Sequence, residues 1–257
     1  MKFFLAPMQG LTGYTVRNAF HHHFDYIDKY YTPFIPAAKR MNAKIKRDID
    51  PVNNDGITLI PQAMSIVADE VIDLHRQLVP YGYDEINVNL GCPSGTVVSK
   101  KRGSGILAYP DILDSFLDEL YTKADFPVSI KTRVGFNDDE LWPRLIEIYS
   151  KYPISELTVH PRVQKDFYKN TPRMDDFALA VQKINPDKTT LCYNGDITDT
   201  NSFNALTDCF PDIDEIMIGR GLFANPALIA ELKGISMDKA ELRERLKNWH
   251  DEILSGY

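Results

Sequence analysis

The chain has 257 residues, long enough for one (βα)8 barrel, and its 44% hydrophobic and 25% charged residues are the balance of an ordinary globular protein. No run approaches the ~20 apolar residues that span a bilayer, and Cys92, Cys192 and Cys209 are too scattered for a disulfide framework or, without a CxxC pair, for zinc. A net charge of −7 argues against indiscriminate nucleic-acid binding, which is driven by phosphate neutralisation, yet leaves room for a local basic patch.

Apolar, β-branched runs alternate with helical patterns from end to end. The first run, Phe3–Ala6, reads as a strand rather than a signal peptide, which places the protein in the cytoplasm. Further strands are expected at Tyr26–Tyr31, Ile57–Gln62, Glu85–Asn89, Val128–Thr132, Glu156–Val159, Thr190–Tyr193 and Glu215–Ile218. Between them, amphipathic spacing predicts helices over Ala68–Val79, Asp111–Thr122, Asp139–Lys151, Met174–Ile184 and Ser202–Cys209. The segment Pro33–Asp55, rich in charge, Pro and Asn, is expected to be a long loop carrying a helix. Strand–helix alternation of this kind is the pattern of a parallel (βα)8 TIM barrel of the α/β class. The barrel is expected over residues 1–233 and a short helical extension over 234–257, with Leu242, Leu246, Trp249 and Ile253 on one stripe.

Catalytic groups of such a barrel sit at the C-terminal strand ends. Those ends read Ala6-Pro7-Met8, Gln62, Asn89-Leu90-Gly91-Cys92-Pro93, Lys131-Thr132-Arg133, His160-Pro161-Arg162, Asn194-Gly195-Asp196 and Gly219-Arg220-Gly221. Phosphates bind the loops after strands seven and eight, so Asn194, Gly195, Asp196, Gly219 and Arg220 are candidates for an anion. Lys131 at a barrel mouth requires an anion or an electron-rich ring, because an unpaired buried ammonium is costly. Cys92 lies on a turn just past a strand, and a thiol of ordinary pKa is protonated at neutral pH and able to donate a proton. Cys192 and Cys209 fall within a strand and a helix and are read as packing residues. His160 and Arg162 line the site as flavin or substrate contacts. His21, His22 and His23 point different ways on a helix and do not suit a joint metal site. Two basic segments stand out, Lys39-Arg40 with Lys44, Lys46 and Arg47, and Lys100-Lys101-Arg102.

Taken together, Ala6-Pro7-Met8-Gln9-Gly10-Leu11-Thr12, Asn89-Leu90-Gly91-Cys92-Pro93 with Gly103-Ser104-Gly105, Ser129-Ile130-Lys131-Thr132-Arg133, His160-Pro161-Arg162, Asn194-Gly195-Asp196-Ile197 and Gly219-Arg220-Gly221 resemble the dihydrouridine synthase family in order and spacing. The resemblance runs from Ala6 to about Pro226. It implies FMN at the barrel mouth, with Ala6, Pro7 and Met8 beneath the ring. Gln62 and Lys131 would lie at the polar edge of that ring, His160 nearby, and Asn194, Gly195, Asp196, Gly219 and Arg220 at the phosphate. It also implies NADPH as reductant and uridine in RNA as substrate, tRNA foremost and ribosomal RNA next. Asn89 would orient the uracil, Cys92 would act as general acid, and no metal or membrane would be involved. By position, Arg162 is read as a flavin or substrate contact, and the Lys100-Lys101-Arg102 run as a substrate contact with a solvated loop face as the alternative. The chain departs from the family at Gly13-Tyr14-Thr15, where Asp and Pro are usual. Only about twenty-five residues follow the barrel, where relatives carry an RNA-clasping helical domain.

Other readings stay open at this point. Dihydroorotate dehydrogenase is similar in its Asn-bearing strand end and also uses FMN on a pyrimidine. An aldolase or isomerase barrel would use Lys131 as a Schiff-base nucleophile, which requires a low lysine pKa. A flavin-free RNA-binding or scaffold protein would carry no cofactor.

Overall fold

The computed structural model describes residues 1–37 and 40–256, so Lys39 of the first basic segment lies outside the described residues. Strands in chain order are β1 Lys2–Leu5, β2 Lys29–Tyr31, β3 Ile35–Pro36, β4 Leu59–Ile60, β5 Gln62–Met64, β6 Ile86–Leu90, β7 Val128–Gly135, β8 Glu156–Val163, β9 Thr190–Tyr193 and β10 Glu215–Ile218. The chain divides into two compact units. One holds Met1–Pro33, Asn42–Ile60 and Asp196–Tyr257, and the other Phe34–Met41 and Pro61–Gly195. Among the described residues no helix is long and apolar enough to cross a membrane.

The second unit carries a parallel sheet in the order β3-β5-β6-β7-β8-β9. Its strands alternate strictly. Val88, Leu90, Ile130, Val134, Leu157 and Val159 are wholly buried on one face. That face packs on helix Trp142–Tyr149, as the 2.9 Å bond between the Thr132 and Tyr149 hydroxyls shows. Each large aliphatic side chain removed from water here contributes about 1.5–3 kcal/mol. The other face, by the period of two, presents Asn87, Asn89, Ser129, Lys131, Arg133, Thr158, His160, Arg162 and Cys192. Fully buried parallel strands ordinarily read as continuous apolar runs. A polar row on one face is therefore a departure that needs a cause.

The first unit's sheet runs β10-β1-β2-β4, also parallel. Its faces are lined by Phe3, Phe4, Leu5, Tyr30, Tyr31, Ile216, Met217 and Ile218, all buried. Arg17, on helix Tyr14–His23, is wholly buried and spends its donors on Thr12 O, on the Asp48 carboxylate and carbonyl, and on Asn54 Oδ1. Asp48 also accepts the Tyr14 N–H at 2.7 Å, so one carboxylate caps the helix and neutralises its arginine. The expected helix of the Pro33–Asp55 segment spans Ala43–Ile49, carries Lys44, Lys46 and Arg47, and is capped by Asn42. The helix predicted at the end of the chain spans Lys239–Ser255 behind the Asp238 cap. It lies on helix Tyr14–His23 through an edge contact of Phe20 with Trp249, and through Glu252, which takes His22 and His23 at 2.8 Å each.

The third predicted strand differs from expectation. It is broken at Pro61, which has no N–H to give a ladder, into β4 and β5. The short β3 falls in what the sequence presents as loop. Cys209, read as a packing residue, is exposed because it ends helix Thr200–Cys209 facing solvent, whereas Cys192 is buried as expected.

Candidate active site

In the second unit the polar row is a connected network. Register places Gln62 beside Asn87 and Asn87 beside Ser129, then Asn89 beside Lys131, Lys131 beside Thr158, and Thr158 beside Cys192. Asn87 Nδ2 donates to Ser129 Oγ at 3.0 Å, Gln62 Nε2 to Asn87 Oδ1 at 2.8 Å, and Asn89 Nδ2 to Gln62 Oε1 at 2.7 Å. Asn89 Oδ1 in turn accepts the N–H groups of Gly91 and Cys92 at 3.1 and 2.9 Å. Asn89 therefore shapes the turn that presents Cys92.

Further groups grip the same turn. Arg133 Nε donates to Gly91 O at 2.9 Å, Ser104 gives both its N–H and its hydroxyl to Cys92 O, and Gln164 Nε2 donates to Pro93 O at 2.9 Å. Gly103, at φ +55, has no room for a side chain, since a β-carbon would stand 2.7 Å from Cys92 O. The half-buried Cys92 thiol is pushed above its ordinary pKa by burial, against the pull of the Ser94 N–H and of the Arg133 and Lys131 charges. It is a protonated thiol at neutral pH.

Lys131 is partly buried on β7 and makes no hydrogen bond or ion pair with the described residues. Burial, and then repulsion from Arg133, draw its pKa down to about 7, with Cys192 and Cys92 opposing. Arg133 is 2% exposed and its remaining donors go to Val163 O and Phe167 O, so no carboxylate pairs with it. The β7–β8 register shifts between Arg133 and Gly135, which turns this strand end toward the loop after β8. Arg162, 1% exposed, gives its donors to Lys169 O, Asn170 O and His160 Nε2. An arginine only donates, so His160 Nε2 accepts and the imidazole is neutral with its proton on Nδ1. The Tyr168 ring, half exposed, stacks 6.3 Å from His160 and lies 5.8 Å from the Arg133 guanidinium.

At the end of β9, Asn194 is 8% exposed and its N–H donates to Val159 O at 3.0 Å. A β-carbon on Gly195 would stand 1.9 Å from the Tyr193 hydroxyl. Of the basic run after Cys92, Lys100 and Lys101 are exposed, with Lys101 Nζ 4.4 Å above the Tyr109 ring, and Arg102 pairs with Glu70 at 3.0 Å.

In the first unit, Ala6 continues β1 with its N–H on Ile218 O at 2.9 Å, and Met8 is tied into a tight turn by Thr12 at 2.9 Å. Gly219 approaches this turn closely, since its β-carbon would lie 3.3 Å from Ala6 Cβ and 3.6 Å from Met8 Sδ. Arg220 and Asp196 form an ion pair at 2.6 Å, both part-exposed. Contacts thus join Gln62, Asn89 and Cys92, and His160 with Arg162, in the second unit, and Asp196 with Arg220, and Gly219 with Ala6 and Met8, in the first. Asn87 and Gln164 were not singled out, and Ser129 and Arg133 were named only as parts of a strand-end segment, without a role. The alternation of Ser129, Lys131 and Arg133 along one strand would have found the second arginine. Among the described residues no group of three or more His, Cys, Asp and Glu is placed to hold a metal ion.

A family model described as dihydrouridine synthase matches residues 4–253. The tRNA-dihydrouridine synthase B of Pasteurella multocida is 26% identical over 243 residues, covering 91% of this chain and 69% of that protein. A probable tRNA-dihydrouridine synthase of Staphylococcus aureus is 33% identical over 154 residues, 58% of this chain and 46% of that one. The tRNA-dihydrouridine synthase B of Escherichia coli K12 is 30% identical over 174 residues, 67% and 53%. The chain thus spans 46% to 69% of the length of these relatives. Among solved structures, morphinone reductase superposes with a TM-score of 0.61 at 11% identity, covering 94% of this chain and 88% of that chain. A variant of NCR from Zymomonas mobilis also gives 0.61, at 10% identity, covering 96% and 90%. At such identities the likeness concerns the fold, the α/β TIM barrel expected from the strand–helix alternation.

Proposed function

The chain belongs to the dihydrouridine synthase family of flavin-dependent oxidoreductases, and on that premise we propose that it reduces the C5=C6 bond of a uridine in RNA, tRNA foremost, with FMN as the flavin and NADPH as the reductant. The observation that carries this reading is a protonated Cys92 thiol, gripped along its main chain, beside a lysine that has no anionic partner among the described residues.

The residues present fit the cofactor. Lys131 has no partner among the described residues and is driven toward neutrality, so an electron-rich or anionic group beside it would relieve that cost. Within its unit, Lys131 would meet the polar edge of the ring with His160 near it, while Gln62, wholly buried, supports Asn89. When bound, FMN supplies the hydride that uracil C6 receives. The proton for C5 comes from Cys92 Sγ, which the rigid turn holds in one place while burial keeps it protonated. Lys131, once partnered, places a positive charge where negative charge develops. Arg133 holds the turn and adds a second positive charge without losing its own proton. The base must leave its stack to be reduced, because a ring face inside a helix is covered. Lys100 and Lys101 on the exposed turn would contact RNA phosphates.

The depressed Lys131 pKa also meets the requirement of the Schiff-base reading. Family membership favours reduction, and borohydride with a carbonyl substrate would trap Lys131 covalently only in the aldolase case. For the main reading, the purified protein is expected to show flavin absorption or to acquire it on FMN titration. A protein that stays colourless and takes up no FMN would overturn it.

A further inference from the structure

Arg102 has a partner that the chemistry above does not use. Ser65, directly after β5, is wholly buried; its hydroxyl donates to Glu70 Oε2 and accepts the Val67 N–H at 3.1 Å. Glu70 stands in the first turn of helix Ala68–Leu78 and takes Arg102 Nη2 at 3.0 and 3.4 Å. This ion pair is well shielded, with side-chain exposures of 22% for Arg102 and 26% for Glu70. Arg102 leads directly into Gly103 and Ser104, and Ser104 donates twice to Cys92 O, at 3.1 and 2.9 Å. At the opposite pole of the same residue, the Cys92 N–H runs through Asn89 to Gln62. Both poles of the Cys92 main chain therefore trace back to β5, one route neutral through Gln62 at its start and one charged through Ser65 just past its end.

We propose that the Ser65–Glu70–Arg102 relay is a positioning device for proton delivery by Cys92, so that Arg102 serves the reaction by holding the cysteine turn rather than by contacting RNA. The proposal rests on the reductive function proposed above and assigns that site its outer support. A general acid works only within hydrogen-bond reach of its target, and a displacement of about 1 Å costs up to about 100-fold in rate. Removing one partner of a shielded ion pair leaves the other uncompensated, which loosens what the pair holds.

The test uses the full chain loaded with FMN, comparing Arg102→Ala, Glu70→Gln and Arg102→Lys with wild type. Oxidation of the reduced flavin by an RNA that wild type turns over should slow on the order of 10- to 100-fold in the first two variants and recover in Arg102→Lys. Flavin reduction by NADPH, RNA affinity and its salt slope should not change. Without RNA, iodoacetamide labelling of Cys92 should rise by about threefold or more in Arg102→Ala and return toward wild type in Arg102→Lys. Weaker RNA binding with a shallower salt slope, at an unchanged oxidation rate, would make Arg102 an RNA contact and overturn the proposal. Unchanged oxidation and labelling would overturn it equally. If Arg102→Ala does not fold, Glu70→Gln and the charge-exchanged Glu70→Arg/Arg102→Glu pair decide by the same readouts. A wild-type protein that reduces no RNA counts against the function, while the labelling arm still judges the relay by itself.

Discussion

Both units bury arginine, and Arg17 and Arg133 are treated in opposite ways. Arg17 in the first unit meets a carboxylate, two carbonyls and an amide oxygen, so its charge is cancelled where it lies. Arg133 in the second gives its hydrogen bonds to carbonyl oxygens, with the Tyr168 ring 5.8 Å away, and next to it Lys131 makes no hydrogen bond or ion pair with the described residues. The first arrangement is stable by itself. The second leaves positive charge on the polar face of a sheet, and such an arrangement persists when another function requires it. Arg17 is neutralised where it lies, whereas Lys131 and Arg133 have no carboxylate partner among the described residues.

The comparison can be broken most directly at Cys92. As the general acid it is expected to contribute on the order of 10²–10⁴-fold, so Cys92→Ala should slow oxidation of the reduced flavin by RNA by that factor and leave reduction by NADPH intact. Stopped-flow traces of the two half-reactions measure this, and wild-type reoxidation in the variant would remove the cysteine from the mechanism. Next in size is Arg17→Met, which strands Asp48. A loss of about 3 kcal/mol in urea unfolding is expected, with Cys92 labelling unchanged. A variant that unfolds normally would show that the first unit does not depend on its charge pair.

Lys131→Met sharpens the contrast through pH. A lysine whose folded pKa is about 7 against an ordinary 10.5 is protonated in both states below pH 7, where its burial cost is felt in full. That cost is relieved as pH rises from 7 toward 10.5, because only the unfolded state then holds the proton. In the apoprotein Lys131→Met should therefore stabilise at pH 6 by on the order of 2 kcal/mol, allowing for partial exposure, and the gain should shrink toward pH 10. A pH-independent effect would mean that the ammonium already has a partner. The smallest effect belongs to Lys100→Ala and Lys101→Ala, each expected to lower the salt slope of RNA binding by about one. Identical slopes would leave these lysines as solvated surface.

Much of this was readable from the sequence. β9 and β10 coincide with the expected strands, and β6, an alternating Ile-Asn-Val-Asn-Leu strand, is displaced by one residue. β7 and β8 extend to Gly135 and Val163, past their expected ends at Thr132 and Val159, since the polar residues that looked like loop are the inward half of an alternating strand. The same habit hid Arg133, which reads as the edge of a loop until the period of two is followed one step further. Cys92 and Lys131 were legible because a thiol after a strand and a cation at a strand end are unusual in themselves. Glu70, Gln164 and Asp48 were not. Each acts on a residue 32, 71 or 31 positions away, and no local pattern encodes such a partner.

The crowding around Gly195 bears on how this chain can change over generations. The Tyr193 ring that would collide with any side chain there is itself locked, edge-on against Phe177 at 4.9 Å and with its hydroxyl 3.6 Å from Met174 Sδ. Neither residue is free to vary first. Alanine at 195 meets the ring, and a smaller residue at 193 opens a void against Phe177, so the effects of changes at 193 and 195 should be coupled rather than additive. A glycine in this loop, which a reader of motifs credits to an anion, is already demanded by the tyrosine two residues before it.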